Sequence, residues 1–257
     1  MKSLKVLVFS IVTILSFNGV ASAESALNEI LSSGKLKAGT TGDFYPFSKR
    51  DTATNDYEGF DIDVLKELAK DMDVEIEFVA TDWKTLVSGV VAGSYHITGS
   101  ASIQAKRMKA AGYSDTYMSV VIKAFTTEDK VSRFNGWDSI NKSDVKVATT
   151  LGTTFEKLSK DWFPNAELTL IEGPARGYQE VLAGRSDVFI TSNVEGSTLL
   201  SKYPNIKEIP VSEPRNPTPL AMLLPQADQV WINYVDHWIK IKKTRGFFKT
   251  LAKKYGL

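Results

Sequence analysis

The segment from Gly99 to Arg107 combines small hydroxyl side chains with a guanidinium group. Ser100 and Ser102 lie near the end of a predicted strand, and Arg107 follows Ser102 by five residues. A guanidinium beside serine hydroxyls suits a carboxylate, because it can donate two parallel charge-assisted hydrogen bonds to the carboxylate oxygens. The alternative is a solvated arginine in a turn, and the spacing alone does not decide between the two.

A second anion-binding pattern runs from Thr150 to Glu156. A strand predicted over Val145–Thr149 precedes this segment, and Gly152, Thr153 and Thr154 lead into a predicted helix. The free N–H groups and the positive end of the dipole at a helix N-terminus stabilise an anion. The alternative is an ordinary threonine N-cap, with Glu156 as a first-turn acid.

Two aromatic residues are candidates for ligand contact, and either could instead belong to the core. Phe44 lies in the loop after the first predicted strand, and Trp83 opens a helix predicted to extend to Val91. Other chemistries have less support, since the sequence has no glycine-rich phosphate loop, G-x-S-x-G motif or histidine-rich metal pattern. The absence of cysteine excludes thiol nucleophiles, cysteine-ligated zinc and iron–sulfur clusters. We therefore expect no metal and no cofactor.

The composition sets the class of protein that must position these residues. The chain has 257 residues, 43% of them apolar and 24% charged, which is ordinary for a globular protein. The 31 basic residues balance 30 acidic ones, so we expect no nucleic-acid partner. The length fits two lobes of roughly 100 residues each.

The N-terminus has the pattern of a secretory signal. Lys2 and Lys5 precede an apolar run from Val6 to Phe17, and Ala21-Ser22-Ala23 offers a small-residue cleavage site. The run is shorter than the roughly 20 residues that span a bilayer. We expect a cleaved signal peptide over residues 1–23 and a protein exported to the periplasm.

Strand and helix patterns alternate after residue 23, which predicts an α/β fold with largely parallel sheets. Two segments look like crossings between lobes, Ile122 to Glu128 and the proline-rich Pro214 to Pro219. If the chain crosses twice, its C-terminal part returns to the first lobe, and the second lobe is inserted within the sequence of the first. The predicted first lobe is therefore 24–124 with 220–257, and the second lobe is 125–219.

These motifs, in this order, resemble the bacterial periplasmic solute-binding proteins of the amino-acid type, family 3. The likeness covers most of the chain after the signal, and its most specific parts are Thr40–Ser48, Gly59–Asp63 and the spacing of Ser100, Ser102 and Arg107. The resemblance implies a two-lobed type II periplasmic binding fold with a two-strand hinge that closes on a ligand. It also implies a monomer that delivers its ligand to the membrane permease of an ABC transporter.

By this resemblance, Phe44 and Trp83 sandwich the ligand, while Arg107, Ser102 and the amides from Gly152 to Thr154 hold its carboxylate. The complete predicted binding set is Asp43, Phe44, Trp83, Ser100, Ser102, Arg107, Thr150, Thr153, Thr154, Ser192 and Asn193.

One departure from the family pattern concerns the ligand's amine. Amino-acid binders place an aspartate after a strand of the second lobe to hold the ligand's ammonium, but here Asp187–Thr191 is followed by Ser192 and Asn193. A buried ammonium without a negative partner costs several kcal/mol. We therefore expect a small carboxylate without a bound α-amine. Glu156 is the main residue that could replace the missing charge, and Glu195 is a weaker candidate because it lies one turn into its helix.

Within the family, the Thr40–Ser48 motif, Trp83 and the Tyr234–Trp238 stretch are most similar to the cyclohexadienyl dehydratase branch. Those enzymes convert prephenate or arogenate to phenylpyruvate or phenylalanine by expelling water and carbon dioxide. Glu156 would be the general acid in that case. Capture of a carboxylate for transport is the principal hypothesis, and dehydratase activity is the alternative.

Overall fold

The computed structural model describes residues 24–213 and 215–257. The predicted signal peptide, residues 1–23, lies outside the described residues, as does Pro214 at the start of the second predicted crossing.

The first lobe is built around parallel strands covered by helices. Its strand β1 pairs in parallel with β5 and with β6. Its elements are α1 (Ala26–Ser33), β1 (Lys35–Thr40), β2 (Asp43–Phe44), β3 (Ser48–Arg50), β4 (Tyr57–Glu58), α2 (Phe60–Asp71), β5 (Glu75–Ala80), α3 (Leu86–Val91), β6 (Ile97–Ser102), α4 (Ala105–Met108) and β7 (Gly112–Tyr113).

The chain then forms the second lobe and returns. Strand β9 lies between β10 and β11, and all three run parallel. The remaining elements are β8 (Met118–Thr127), β9 (Lys146–Thr150), α5 (Thr154–Trp162), β10 (Glu167–Ile171), α6 (Gly177–Leu182), β11 (Val188–Ser192), α7 (Asn193–Lys202), β12 (Ile206–Glu208), β13 (Arg215–Leu224), α8 (Gln229–Thr244) and α9 (Phe247–Lys254). None of the helices described combines the length and apolarity needed to cross a membrane.

Two long antiparallel strands, β8 and β13, join the lobes. Strand β8 pairs with β11 of the second lobe, and β13 pairs with β6 of the first. The two also pair with each other, with Val120 opposite Thr218 and Met118 opposite Leu220. The two-lobed α/β architecture with a two-strand connection is thus confirmed. The predicted lobe boundaries fall inside β8 and β13 and stay a prediction.

Two local differences from the predicted elements, at α1 and at α3, have physical causes. Helix α1 was not predicted, although Ser25 caps it by accepting from the N–H of Leu27. The helix expected to open at Trp83 begins at Leu86, because the Asp82 carboxylate accepts from the N–H groups of Lys84 and Thr85 and holds a turn there. The terminal helical region consists of two helices, α8 and α9, separated at Gly246 in a left-handed conformation.

A buried polar cluster lies under the first lobe's edge of the cleft. The Tyr117 hydroxyl donates to Asp61 at 2.7 Å and accepts from the N–H of Ser100 at 2.6 Å. Gly99 lies against it so closely that an added Cβ would come within 2.8 Å of the Asp61 carboxyl carbon. Burial raises the pKa of Asp61 to about 7, although hydrogen bonds from Ser100 and Tyr117 oppose the rise.

This cluster predicts a pH-dependent stability. The folded-state pKa of Asp61 lies above the unfolded value, so its stabilising contribution is complete below about pH 4 and is lost as the pH rises through about 7. Asp61→Asn mimics the neutral acid. We expect urea unfolding to show that the wild type loses a few kcal/mol relative to this variant between acidic and mildly alkaline pH.

Asp56→Asn is the matched control, because Asp56 is an exposed carboxylate of the same lobe. Parallel stability curves for the wild type and Asp61→Asn across this pH range would contradict the prediction.

Candidate functional site

The facing surfaces of the two lobes enclose a small central chamber. Its volume is about 20 Å³, roughly the space for one water molecule in this closed conformation. The chamber brings together six of the predicted residues with three others; its lining is Phe44, Trp83, Ser100, Ser102, Val120, Thr153, Thr154, Phe155 and Leu220.

Three aromatic rings form the chamber's walls. The ring of Phe44 meets Trp83 edge-to-face at 5.9 Å and Phe155 at 6.3 Å between centroids. Phe155 was not among the predicted site residues, since an apolar residue in the first turn of a helix is usually a core residue. Here it is buried at the lobe interface, where its ring faces the first lobe.

Arg107 lines a neighbouring basic cavity of about 650 Å³ that shares Trp83 and Thr153 with the central chamber. Only 7% of Arg107 is exposed. Its guanidinium donates to the carbonyl of Ser102 in the first lobe at 3.4 Å and to that of Gly152 in the second lobe at 3.3 Å. Among the residues the structure describes, Arg107 has no carboxylate partner. Burial lowers the pKa of Arg107, and the guanidinium remains charged.

The other predicted hydroxyl residues have structural contacts of their own. Thr153 caps α5, accepting from the N–H of Glu156 and donating to the carbonyl of Thr150 at 2.6 Å. The Thr154 hydroxyl accepts from Gln104 of the first lobe. Ser100 lines the chamber, but its hydroxyl lies 3.3 Å from the hydroxyl of Tyr117. Thr150 is buried and lines none of these cavities.

On another side of the interface lies an ion-pair cavity of about 420 Å³, whose lining includes Asp43, Arg176 and Glu195. Arg176 makes a two-pronged contact with Glu195, from Nε to Oε1 at 3.1 Å and from Nη2 to Oε2 at 2.6 Å. Its Nη1 reaches Asp43 at 3.4 Å. Asp43 also accepts from the indole N–H of Trp83 at 2.9 Å and so orients that ring. Arg176 was not among the predicted site residues, and Glu195, a weaker candidate for pairing with a solute ammonium, is paired with Arg176 instead.

The predicted ligand contacts of Ser192 and Asn193 are not supported by their positions. Ser192 is fully buried and caps α7 by accepting from the N–H of Glu195 at 3.1 Å. Asn193 accepts from the N–H of Val121 in the crossing strand β8 at 2.9 Å. Both side chains are engaged by backbone groups, and neither lines the cavities between the lobes.

Glu156 is held as a carboxylate. It accepts from the N–H of Gly152 at 2.6 Å and from Lys160 at 2.5 Å. Partial burial favours the neutral acid, but the Lys160 ammonium and the Gly152 N–H outweigh it and lower the pKa of Glu156. A general acid needs the opposite shift. Among residues 24–213 and 215–257, no group of acidic and histidine side chains is arranged to hold a metal ion.

Two α/β lobes that enclose polar and aromatic groups beside a two-strand connection define a solute-binding protein. The model of the bacterial extracellular solute-binding proteins, family 3, matches residues 36–257, and the chain belongs to this family.

Similar proteins include both enzymes and binding proteins. A cyclohexadienyl dehydratase of Pseudomonas aeruginosa is 28% identical over 237 residues, covering 92% of this chain and 88% of that protein. An ABC transporter glutamine-binding protein of Bacillus subtilis is 23% identical over 249 residues, covering 93% and 88%. The crystal structure of an ancestral amino-acid-binding protein, a precursor of cyclohexadienyl dehydratase, is 32% identical with a TM-score of 0.83, covering 90% of this chain and 99% of that one.

Several contacts bridge the lobes in this closed conformation. Lys84 of the first lobe forms an ion pair with Glu172 of the second. Gly152 lies against the backbone of the first lobe at φ +80°, and an added Cβ would be 2.8 Å from the Trp83 carbonyl carbon and the Lys84 nitrogen. That close approach requires glycine, because the clash would be with backbone rather than with a flexible side chain.

We expect Gly152→Ala to impede closure. Gly184→Ala is the matched control, since Gly184 has a similar φ of +72° but open space at its Cβ position. Both variants should lose similar stability from backbone strain, whereas only Gly152→Ala should weaken solute binding, by about tenfold or more.

Small-angle scattering with saturating solute provides the check on closure. The wild type and Gly184→Ala should contract on binding, and Gly152→Ala should contract less. An equal contraction in all three proteins would show that the approach of Gly152 to Trp83 is not needed for closure.

Proposed function

We propose that the protein captures a small carboxylate between its lobes, with Arg107 as the main contact, and delivers it to the permease of an ABC transporter. The buried guanidinium of Arg107, which donates to the carbonyl oxygens of Ser102 and Gly152 and has no carboxylate partner among the described residues, carries this proposal. Neutral acceptors compensate a buried cation poorly, so a solute carboxylate between the lobes stabilises the arginine and the closed form together.

The aromatic chamber supports a solute with an apolar or flat body. The rings of Phe44, Trp83 and Phe155 offer faces and edges to such a body next to the basic cavity that Arg107 lines. Because the closed chamber holds only about 20 Å³, these rings or the lobes must separate for the solute to enter. Entry in an open form followed by closure is the motion that two crossing strands permit.

The cellular setting is inferred from the sequence and the relatives. The family is extracellular, the pattern over residues 1–23 predicts a secretory signal, and one relative is the glutamine-binding protein of an ABC transporter. Together they support a periplasmic protein that hands its solute to a membrane permease.

Dehydratase activity is the second candidate function, favoured by the similarity to the Pseudomonas aeruginosa enzyme over 92% of this chain. The environment of Glu156 weighs against that residue as the acid, because Lys160 and the N–H of Gly152 favour its carboxylate form. Incubation with prephenate should therefore yield no phenylpyruvate absorbance. Turnover that disappears in Glu156→Gln would establish an enzyme with Glu156 as its acid.

The role of Arg107 is tested by Arg107→Ala in a screen of carboxylic acids. Loss of a charged contact in a desolvated site should cost about 2–5 kcal/mol of binding free energy. Calorimetry on solutes that the wild type binds should therefore show affinity reduced by tens to thousands of times, with the circular dichroism spectrum unchanged. Arg245→Ala is the control, because Arg245 is an exposed arginine on the surface of the first lobe. Near wild-type affinity in Arg107→Ala would show that the carboxylate is bound elsewhere.

The missing amine contact is tested with pairs of solutes that differ only in an α-ammonium. Ser192 and Asn193 bind backbone groups, and Arg176 pairs with Glu195, so none of these residues offers the ammonium a free negative charge. We expect the 2-hydroxy acid of each pair to bind more tightly than the amino acid at one fixed pH. Tighter binding of the amino acids would contradict this expectation, and Glu156→Gln would then show whether Glu156 supplies the charge.

A further inference from the structure

We propose that Arg176 determines the charge specificity of this site: its guanidinium occupies, from within the protein, the place between Asp43 and Glu195 that a cationic group of a solute would take. The inference rests on the proposed function, because it concerns which solutes the same interlobe site admits.

The three residues form a buried unit that joins the lobes. Asp43 belongs to the first lobe, and Arg176 and Glu195 belong to the second. Arg176 is 6% exposed and Glu195 is 5% exposed, and the Asp43 side chain is 2% exposed. The Arg176 guanidinium also lies 5.7 Å from the centre of the Phe44 ring, which forms a wall of the central chamber.

Both carboxylates already receive donors on both of their oxygens. Glu195 accepts from Nε of Arg176 on Oε1, and from Nη2 of Arg176 and the Thr191 hydroxyl on Oε2. Asp43 accepts from the Trp83 indole on Oδ1 and from Arg176 on Oδ2. A solute ammonium would have to displace these donors and leave the Arg176 guanidinium without a partner, which is unfavourable in a buried site.

Removal of the Arg176 side chain should reverse this preference. Two carboxylates would then face each other across the lobe interface, beside the ion-pair cavity of about 420 Å³. Their repulsion opposes closure, and a cation that enters between them relieves it. The variant should therefore gain affinity for planar cations, which can reproduce the two-pronged contact with Glu195.

The test uses Arg176→Ala and Arg176→Gln with methylguanidinium chloride and L-arginine as probes, and sodium chloride at equal ionic strength as the reference. We expect millimolar methylguanidinium to raise the melting temperature of both variants relative to sodium, and to leave that of the wild type unchanged. Affinity for L-arginine should exceed that of the wild type by about tenfold or more. Arg185→Ala is the matched control. Arg176 precedes helix α6 and Arg185 follows it, and Arg185 forms an exposed ion pair with Glu180.

A double variant, Arg176→Ala with Glu195→Gln, removes one of the two carboxylates and should lose the response to methylguanidinium. A folded single variant that responds equally to methylguanidinium and sodium overturns the proposal. Failure of both single variants to fold in either salt also overturns it, since a free cation then does not replace the side chain. Folding that depends on methylguanidinium supports it.

These outcomes are separable from a failure of the proposed function. Methylguanidinium has no carboxylate, so its binding does not require Arg107. We expect the same cation response in Arg107→Ala combined with Arg176→Ala as in Arg176→Ala alone, whether or not Arg107 binds a solute carboxylate.

Discussion

A buried guanidinium needs a negative partner, and the interlobe cleft holds two arginines that meet this need differently. Arg176 is paired within the protein, by Glu195 of its own lobe and Asp43 of the other. Arg107 bridges the lobes through carbonyl oxygens and has no carboxylate partner among the residues described. One end of the cleft is therefore electrostatically complete, whereas the other holds a buried cation that faces neutral carbonyl oxygens. This difference is the basis for the proposal that the carboxylate end of a solute binds at Arg107.

The two strands that connect the lobes, β8 and β13, determine how the residues of the two lobes are positioned relative to each other. Strands β8 and β13 run through both lobes, so a small change in their twist moves Gly152 relative to Trp83. Asn193 accepts from the N–H of Val121 in β8, which fixes the start of α7 to the connection itself. Glu195 lies on the same helix, and its position therefore follows the strand. Asn193 thus helps to position Glu195, which lines the ion-pair cavity.

Much of this site could be predicted from local sequence patterns, and the rest depends on contacts that such patterns do not encode. The strand-to-helix transition at Thr153 follows from local sequence rules, whereas Phe44 and Trp83 were singled out by the family resemblance; the structure brings all three to the central chamber. The contact of Arg176 with Asp43 joins residues 133 positions apart in different lobes, and no periodicity marks it. The pairing of Glu195 with Arg176 likewise joins two segments of the second lobe through side chains, which a reading of each segment alone does not show.

The ion pair between Lys84 and Glu172 has a kinetic consequence. Both side chains are largely exposed, at 43% and 64%, so solvent screens the pair and it stabilises the closed conformation only weakly. Dissolved salt weakens such a pair, since the screening length is about 8 Å at physiological ionic strength. The residence time of a captured solute therefore shortens as salinity rises, while its rate of entry into the open form does not depend on this pair. This exposed contact thereby couples release of the solute to the ionic strength around the protein.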